Sequence, residues 1–233
     1  MILVYCANRT LYDKLPTTLN SALQNTSSID KIYLLIEDDK IDFITHPKIH
    51  FINLNNYDFI IRDGINCSNK FPYTAMARCF LTKILDENKV LYLDVDTIVD
   101  SDLSELWNWS LGGACLAAKR EHESESNRAI PDQYFNSGVM LMDLNSIRKL
   151  HLDDRVIKLL KTCRFVFPDQ DAINFVFKYR VSFLPNKFNA LGGKEVYDDE
   201  IVIRHFAGIV KPWKPNAKPE DVAFWEKYKV ESL

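Results

Sequence analysis

The stretch Val90-Leu-Tyr-Leu-Asp-Val-Asp-Thr-Ile-Val99 decides how the rest of the chain is read. Its apolar start suits a strand buried on both faces, as in a parallel α/β sheet. Asp94 and Asp96 then fall at the carboxyl end of that strand, where such sheets bind ligands. Two like charges in that position are costly unless they are paired or bound to a metal. A spacing of two points both side chains to one face of a regular strand. Oxygen ligands of this kind suit Mg²⁺ or Mn²⁺. The same pair also suits a plain turn, since Asp is common after strands and Asp100 and Asp102 follow closely.

Short apolar runs alternate with helix-like stretches on both sides of this segment. The pattern predicts strands over 2–6, 31–36, 49–54, 90–94, 114–118, 139–143, 181–183 and 201–204. It predicts helices over 17–25, 73–85, 152–161 and 171–178. Strands separated by helices imply βαβ units, hence an α/β fold with a mainly parallel central sheet. With 233 residues and no repeat or linker, 1–233 reads as one domain. The polar segments 62–71 and 119–132 read as mobile loops, either lids or solvated surface. After the proline-stiffened Lys211-Pro-Trp-Lys-Pro, an amphipathic stretch at 222–228 is expected to pack back on the body.

Composition removes several classes of function. Hydrophobic residues make up 47% of the chain, enough for a substantial core. The net charge is -3, so nothing marks a nucleic-acid partner, and any anion site has to be local. The five cysteines are scattered without a CxxC pair, which argues against a disulfide framework or a structural zinc. Cys6 and Cys115 lie in apolar runs and read as core. A reducing, cytoplasmic setting fits this usage. The apolar start is only about seven residues long and lacks a basic leader, so it reads as a strand rather than a signal peptide. No apolar run reaches the roughly 18–20 residues needed to span a bilayer.

Three later segments carry chemistry-bearing residues: Tyr134-Phe-Asn-Ser-Gly-Val-Met-Leu-Met-Asp-Leu, Pro168-Asp-Gln-Asp-Ala-Ile-Asn and His205-Phe-Ala-Gly-Ile-Val-Lys-Pro-Trp. Each has a structural account of its own. The first reads as a turn entering a core strand. The second reads as a cap on a helix beginning at Asp171. His205 alone reads as a buried, hydrogen-bonded histidine. Taken in order with the Asp-x-Asp strand, the set resembles family 8 of the glycosyltransferases, which includes glycogenin and bacterial lipopolysaccharide galactosyl- and glucosyltransferases. The resemblance runs from the first strand to about Trp213. Its most specific piece is His205, Gly208, Lys211, Pro212 and Trp213.

The resemblance implies a GT-A fold, a Rossmann-like α/β domain that binds a nucleotide sugar with Mn²⁺ or, alternatively, Mg²⁺. It implies Asp94, Asp96 and His205 as metal ligands, with Val95 between the aspartates among the donor contacts. Lys211 would meet the diphosphate, and Gly208 would allow close backbone approach. Arg78 would reach the donor. Asn136, Asp169 and Gln170 would line its sugar, with Gln170 under the anomeric carbon, and the catalytic set would be Gln170, Asp169 and Lys211. Ala7, Asn8 and Tyr12 fall where the family contacts ribose and uracil, but Asn8 replaces the acidic residue of many members and Tyr12 only approximates their stacking aromatic. No acidic counterpart is recognised after 114–118, where some members touch donor and acceptor.

The implied function is retaining transfer of a hexose, glucose or galactose, from a UDP-sugar to a glycan or glycoprotein. The acceptor is expected between the 119–132 segment and the C-terminal loop. A phosphatase of the haloacid dehalogenase type, with Asp94 as nucleophile, is the enzymatic alternative, although its motif normally opens the chain. A non-catalytic sugar-nucleotide-binding module is a further alternative.

Overall fold

The computed structural model describes residues 1–121, 133–192 and 200–233. The first βα units form as the apolar pattern requires. Strand β1 (Ile2–Cys6) leads through a 3-10 turn at Arg9–Lys14 into helix α1 (Leu15–Asn25), followed by β2 (Lys31–Ile36) and β3 (Ile49–Asn53). Pro16 lies in the first turn of α1, where a missing N–H costs nothing. Next come α2 (Tyr73–Met76), a 3-10 turn (Ala77–Phe80), α3 (Leu81–Ile84), β4 (Lys89–Leu93), β5 (Thr97–Val99), α4 (Ser104–Trp107) and β6 (Leu116–Arg120). The chain continues through β7 (Phe135–Asp143), α5 (Leu144–Lys149), α6 (Leu152–Thr162), α7 (Pro168–Phe177), β8 (Val181–Leu184), β9 (Ala190–Leu191), β10 (Ile203–His205) and α8 (Pro219–Lys227).

The central sheet has 7 strands in the order β3-β2-β1-β4-β7-β6-β8. All its pairings are parallel except those of β7, which runs antiparallel to both β4 and β6. Strand β1 is flanked by β2 and β4, so the strand order reverses there and opens a crevice at the carboxyl ends of β1 and β4. Buried apolar side chains cover both faces of the sheet. One layer includes Val4, Tyr92, Met140 and residues of α6 and α7; the other includes Tyr5, Leu93, Leu141 and residues of α1.

Several expectations are corrected. Strand β4 stops at Leu93, so Asp94–Asp96 forms a turn rather than a strand end, and strand alternation is not what aligns the two carboxylates. The turn is closed by Thr97, whose N–H and hydroxyl both donate to the Asp94 carbonyl (3.2 and 2.7 Å). The expected helix over 73–85 is interrupted by the 3-10 turn. There Arg78 Nε takes the Ala75 carbonyl (2.9 Å) that a continuous helix would use. Helix α7 begins at Pro168, and Asp171 does not start it. Its carboxylate instead accepts from the N–H groups of Val166 (3.1 Å) and Phe167 (2.9 Å), tying down the chain that enters the helix.

The 62–71 loop is anchored. Buried Asn66 donates to the carbonyls of Leu160 (2.8 Å) and Cys163 (2.7 Å) and accepts from the Phe165 N–H (3.0 Å). Most of 119–132, namely 122–132, lies outside the described residues. The five cysteines are free thiols, with Cys6 and Cys115 buried as expected. Among the described residues no helix is long and apolar enough to cross a membrane.

A second sheet, in the order β5-β10-β9, joins β10, which overlaps the strand expected over 201–204, to β5 and β9, which at three and two residues are too short for the pattern to predict. It is clamped by α8, whose Trp225 meets the rings of Phe206 and Trp213. At the centre of the clamp Asp100 accepts from Arg204 Nε (3.1 Å), Lys227 Nζ (2.7 Å) and the Tyr228 hydroxyl (2.7 Å). Burial alone would raise the Asp100 carboxyl, but these three donors outweigh it and hold the group below the ordinary carboxylate range. Asp100→Asn should therefore lower unfolding free energy by about 2–3 kcal/mol in urea denaturation at pH 7. A carboxyl depressed in the folded state stabilises above its unfolded pKa of about 3.9 and loses that contribution as pH falls through the folded value. The gap between variant and wild type should be constant above about pH 5 and narrow below about pH 4. A gap that stays constant down to pH 3 would reject the ionic account.

Candidate functional site

The turn after β4 sits in the crevice made by the strand-order reversal. The Asp94 N–H donates to the Gly138 carbonyl (2.8 Å), extending the β4–β7 ladder by one bond. Directly across, β10 pairs antiparallel with β5 so that His205 stands opposite Thr97, and the Phe206 N–H donates to the Asp96 carbonyl (2.9 Å). This register brings His205 to the aspartates from about a hundred residues downstream. His205 Nε2 lies 3.6 Å from Asp94 Oδ2 and 3.4 Å from Asp96 Oδ1. One ligand atom from each of Asp94, Asp96 and His205 lies within 4.8 Å of the others.

Several features fit this trio to a divalent cation. Two carboxylates and an imidazole suit Mn²⁺. The remaining oxygen of each aspartate is held in place, with Asp94 Oδ1 accepting from the Tyr92 hydroxyl (2.7 Å) and from Arg78 (2.7 Å). Gly138 forms the wall. A Cβ there would lie 2.7 Å from Asp94 Oδ2 and 2.8 Å from His205 Nε2, and closer still to His205 Cε1. Only a residue without a side chain lets the imidazole close on the carboxylates.

The charges are compensated pairwise. Arg78 is buried and stacks over the Tyr92 ring (4.5 Å), with its guanidinium bridging Asp94 and, through Nε, Asp169 (3.1 Å). The third nitrogen, Nη1, donates to the Ser137 carbonyl (3.0 Å). Lys211 Nζ pairs with Asp96 and donates to the Phe206 carbonyl (3.0 Å). Burial would raise the Asp96 carboxyl, but the Lys211 ammonium and His205 overcome it and hold the group well below the usual range. For Asp169 the balance reverses, and burial pushes its carboxyl up against the pull of Arg78. Burial also pushes up the Cys6 and Cys79 thiols, which leaves both protonated and inert.

Asn136 and Gln170 form the other half of the site. The consecutive N–H groups of Ser137 and Gly138 donate to Gln170 Oε1 (2.9 Å) and Asn136 Oδ1 (3.0 Å) respectively. Gln170 Nε2 then donates to Glu121 Oε2 (3.1 Å) and to the Tyr134 hydroxyl (3.1 Å). Asn136 Nδ2 also reaches Glu121 Oε2 (3.3 Å).

Asp94, Asp96, His205, Lys211, Arg78, Asp169, Asn136 and Gln170 thus form one bonded cluster. Ala7, Asn8 and Tyr12 stand apart at the end of β1. There the Ala7 N–H donates to Leu35 (3.0 Å), and Asn8 Oδ1 accepts from the Thr10 hydroxyl (2.7 Å). The Tyr12 hydroxyl joins Asp38 (3.0 Å) and the Glu37 N–H (2.9 Å). Val95 is buried and packs into the core layer that includes α1. Gly208 has φ +104°, a left-handed turn that favours glycine, and no protein atom lies near a built Cβ.

Glu121, Tyr134, Tyr92 and Asn189 were not anticipated as site residues. Glu121 is an acidic residue that follows the expected strand 114–118 and bonds to both amides. Strand β6 runs on to Arg120, two residues beyond its expected end, which places Glu121 at the strand's mouth. The other three lie in apolar or unremarkable contexts that carry no signal.

Residues 2–217 match the family model described as Glycosyl transferase family 8. The lipopolysaccharide 1,2-glucosyltransferase of Escherichia coli K12 is 29% identical over 172 residues, covering 63% of this chain and 51% of the relative. The chain spans about half the length of that curated relative. The glycosyltransferase GlyE of Streptococcus pneumoniae TIGR4 superposes with a TM-score of 0.79 at 22% identity, over 98% of this chain and 61% of that one. The galactosyltransferase LgtC, solved with donor and acceptor sugar analogs, superposes with a TM-score of 0.75 at 20% identity, over 99% and 97% of the two chains.

The Gly138→Ala variant should fold with a loss of about 1–3 kcal/mol from overpacking. It should also bind Mn²⁺ at least about tenfold more weakly in calorimetric titration, since His205 has to withdraw. Wild-type affinity in that variant would refute the steric account of the glycine.

Proposed function

The chain belongs to glycosyl transferase family 8 and has the GT-A fold, and on that premise we propose that residues 1–233 act as a retaining, metal-dependent hexosyltransferase. The donor is a UDP-hexose, glucose or galactose, and the acceptor is a glycan or glycoprotein. The observation that carries this reading is the convergence of Asp94, Asp96 and His205 in the crevice beside Lys211 and Gln170. Asp94, Asp96 and His205 hold a divalent cation, Mn²⁺ or alternatively Mg²⁺, which when bound neutralises charge on the diphosphate leaving group.

The chain's own groups do the rest. Lys211 carries its ammonium on a loop turned at Gly208 and meets the diphosphate by electrostatics. Asp169, held against Arg78, accepts from sugar hydroxyls, while Asn136 orients the ring from the strand side. Gln170 lies under the anomeric carbon. Its Oε1 is already bonded to the Ser137 N–H, which makes it a poor nucleophile and supports front-face attack through an oxocarbenium-like state. The departing phosphate then takes the acceptor proton. Ala7, Asn8 and Tyr12 contact the nucleoside from the end of β1. Free thiols support a cytoplasmic location.

The phosphatase alternative loses its ground with the family assignment, and Asp94 Oδ1 is already taken by Arg78 and Tyr92. A thermal-shift and mass-spectrometric screen of UDP-, GDP- and TDP-sugars with and without Mn²⁺ tests the reading. Stabilisation by one UDP-hexose that requires Mn²⁺, with slow release of free sugar, is the expected result. Hydrolysis of simple phosphate esters with indifference to nucleotide sugars would overturn it. Asp96→Asn should reduce transfer on the order of 100-fold or more while the melting curve stays cooperative. Transfer near the wild-type rate in that variant would remove the metal from the mechanism.

A further inference from the structure

We propose that Asn189 is a positioning residue that locks His205 in the metal-binding tautomer and joins the metal ligands to the sugar-facing amides Asn136 and Gln170. The inference rests on the reading of Asp94, Asp96 and His205 as a metal site. Asn189 follows the 3-10 turn Asn186–Phe188 and precedes β9, and it is wholly buried at 0% exposure. A buried amide has to spend both its donor and its acceptor. Asn189 does so on the site itself: Nδ2 donates to Asn136 Oδ1 (3.0 Å), and Oδ1 faces His205 Nδ1 (2.9 Å).

The tautomer follows from one unambiguous donor. A backbone N–H can only donate, so the atom of Asn136 that receives the Gly138 N–H (3.0 Å) has to be its oxygen. The Asn189 atom facing that oxygen is then the NH₂ group, and its other atom is an acceptor. The ring nitrogen facing that acceptor, Nδ1, therefore carries the hydrogen in the neutral imidazole. Nε2 is left with its lone pair, aimed between Asp94 Oδ2 and Asp96 Oδ1. Three lone-pair groups converge with no hydrogen among them, an arrangement that a cation completes. From Asn136 the chain continues through Nδ2 to Gln170 Oε1 (3.3 Å), which the Ser137 N–H fixes in turn. The metal end and the sugar end therefore share one directional hydrogen-bond chain, anchored on adjacent peptide groups of β7.

Two substitutions separate positioning from bulk structure. Asn189→Leu removes both bonds. Asn189→Asp keeps the acceptor for His205 Nδ1 but presents an oxygen to Asn136 Oδ1. Mn²⁺ binding to the full chain, read by electron paramagnetic resonance without nucleotide, should weaken about 10–100-fold in Asn189→Leu and stay within about threefold of wild type in Asn189→Asp. In Mn²⁺-loaded protein, the preference for UDP-glucose over UDP should fall in Asn189→Asp, because Asn136 is pushed out of line. Wild-type Mn²⁺ affinity in Asn189→Leu, or equal losses in both variants, would overturn the proposal. Asp96→Asn is run alongside. If it too binds Mn²⁺ normally, the metal-site reading fails; if it alone loses binding, only the role of Asn189 fails.

Discussion

Two carboxylates, Asp94 and Asp96, are forced together by a tight turn at the end of a fully buried strand, and the rest of the site answers that constraint. Like charges at the edge of a core are not tolerated without partners. Arg78 is therefore drawn inward onto Asp94, and the helix that carries it breaks into a 3-10 turn to let it reach. Lys211 comes in from the C-terminal loop onto Asp96. The guanidinium, itself buried, needs more than one acceptor, and it finds Asp169 and the Ser137 carbonyl. Compensation of charge thus recruits elements from four separate parts of the chain.

The antiparallel strand β7 supplies the second half of the design. Its insertion between β4 and β6 lays Asn136, Ser137 and Gly138 beside the aspartate turn. Gly138 gives the space, and the adjacent N–H groups give direction to two amide side chains. A strand in the middle of a sheet is among the stiffest supports a protein offers, so the amides are presented in fixed orientation without help from a ligand. The second sheet does the same for His205, and α8 with its Asp100 clamp holds that sheet against the body. Distant packing of this kind bears on the site because small shifts in ligand geometry are felt strongly in binding and catalysis.

Most of the central architecture was legible because its signal is local. Strands 2–6 and 31–36 are runs of β-branched and aliphatic residues, and their observed bounds match the expected ones. Apolar periodicity likewise located α6. Errors gathered where polar residues interrupt the pattern for reasons of function. Phe135-Asn-Ser-Gly belongs to β7 but reads as a turn, and Lys119 and Arg120 belong to β6 but read as loop. Missing the end of β6 concealed Glu121. The three-residue strand β5 carries too few side chains for any periodicity to register, whereas β10 overlaps the strand expected over 201–204.

The sequence by itself determined the α/β class, the buried strand that leads to the acidic pair, and the residue types able to hold a cation. Those follow from hydrophobic pattern and side-chain chemistry, which each residue carries wherever it sits. Tertiary structure decided between strand end and turn for that pair, and it alone decided that Asn189 orients His205 while Glu121 meets Gln170. Such facts depend on register between segments up to about a hundred residues apart, and register is set by pairing and packing that no local pattern encodes.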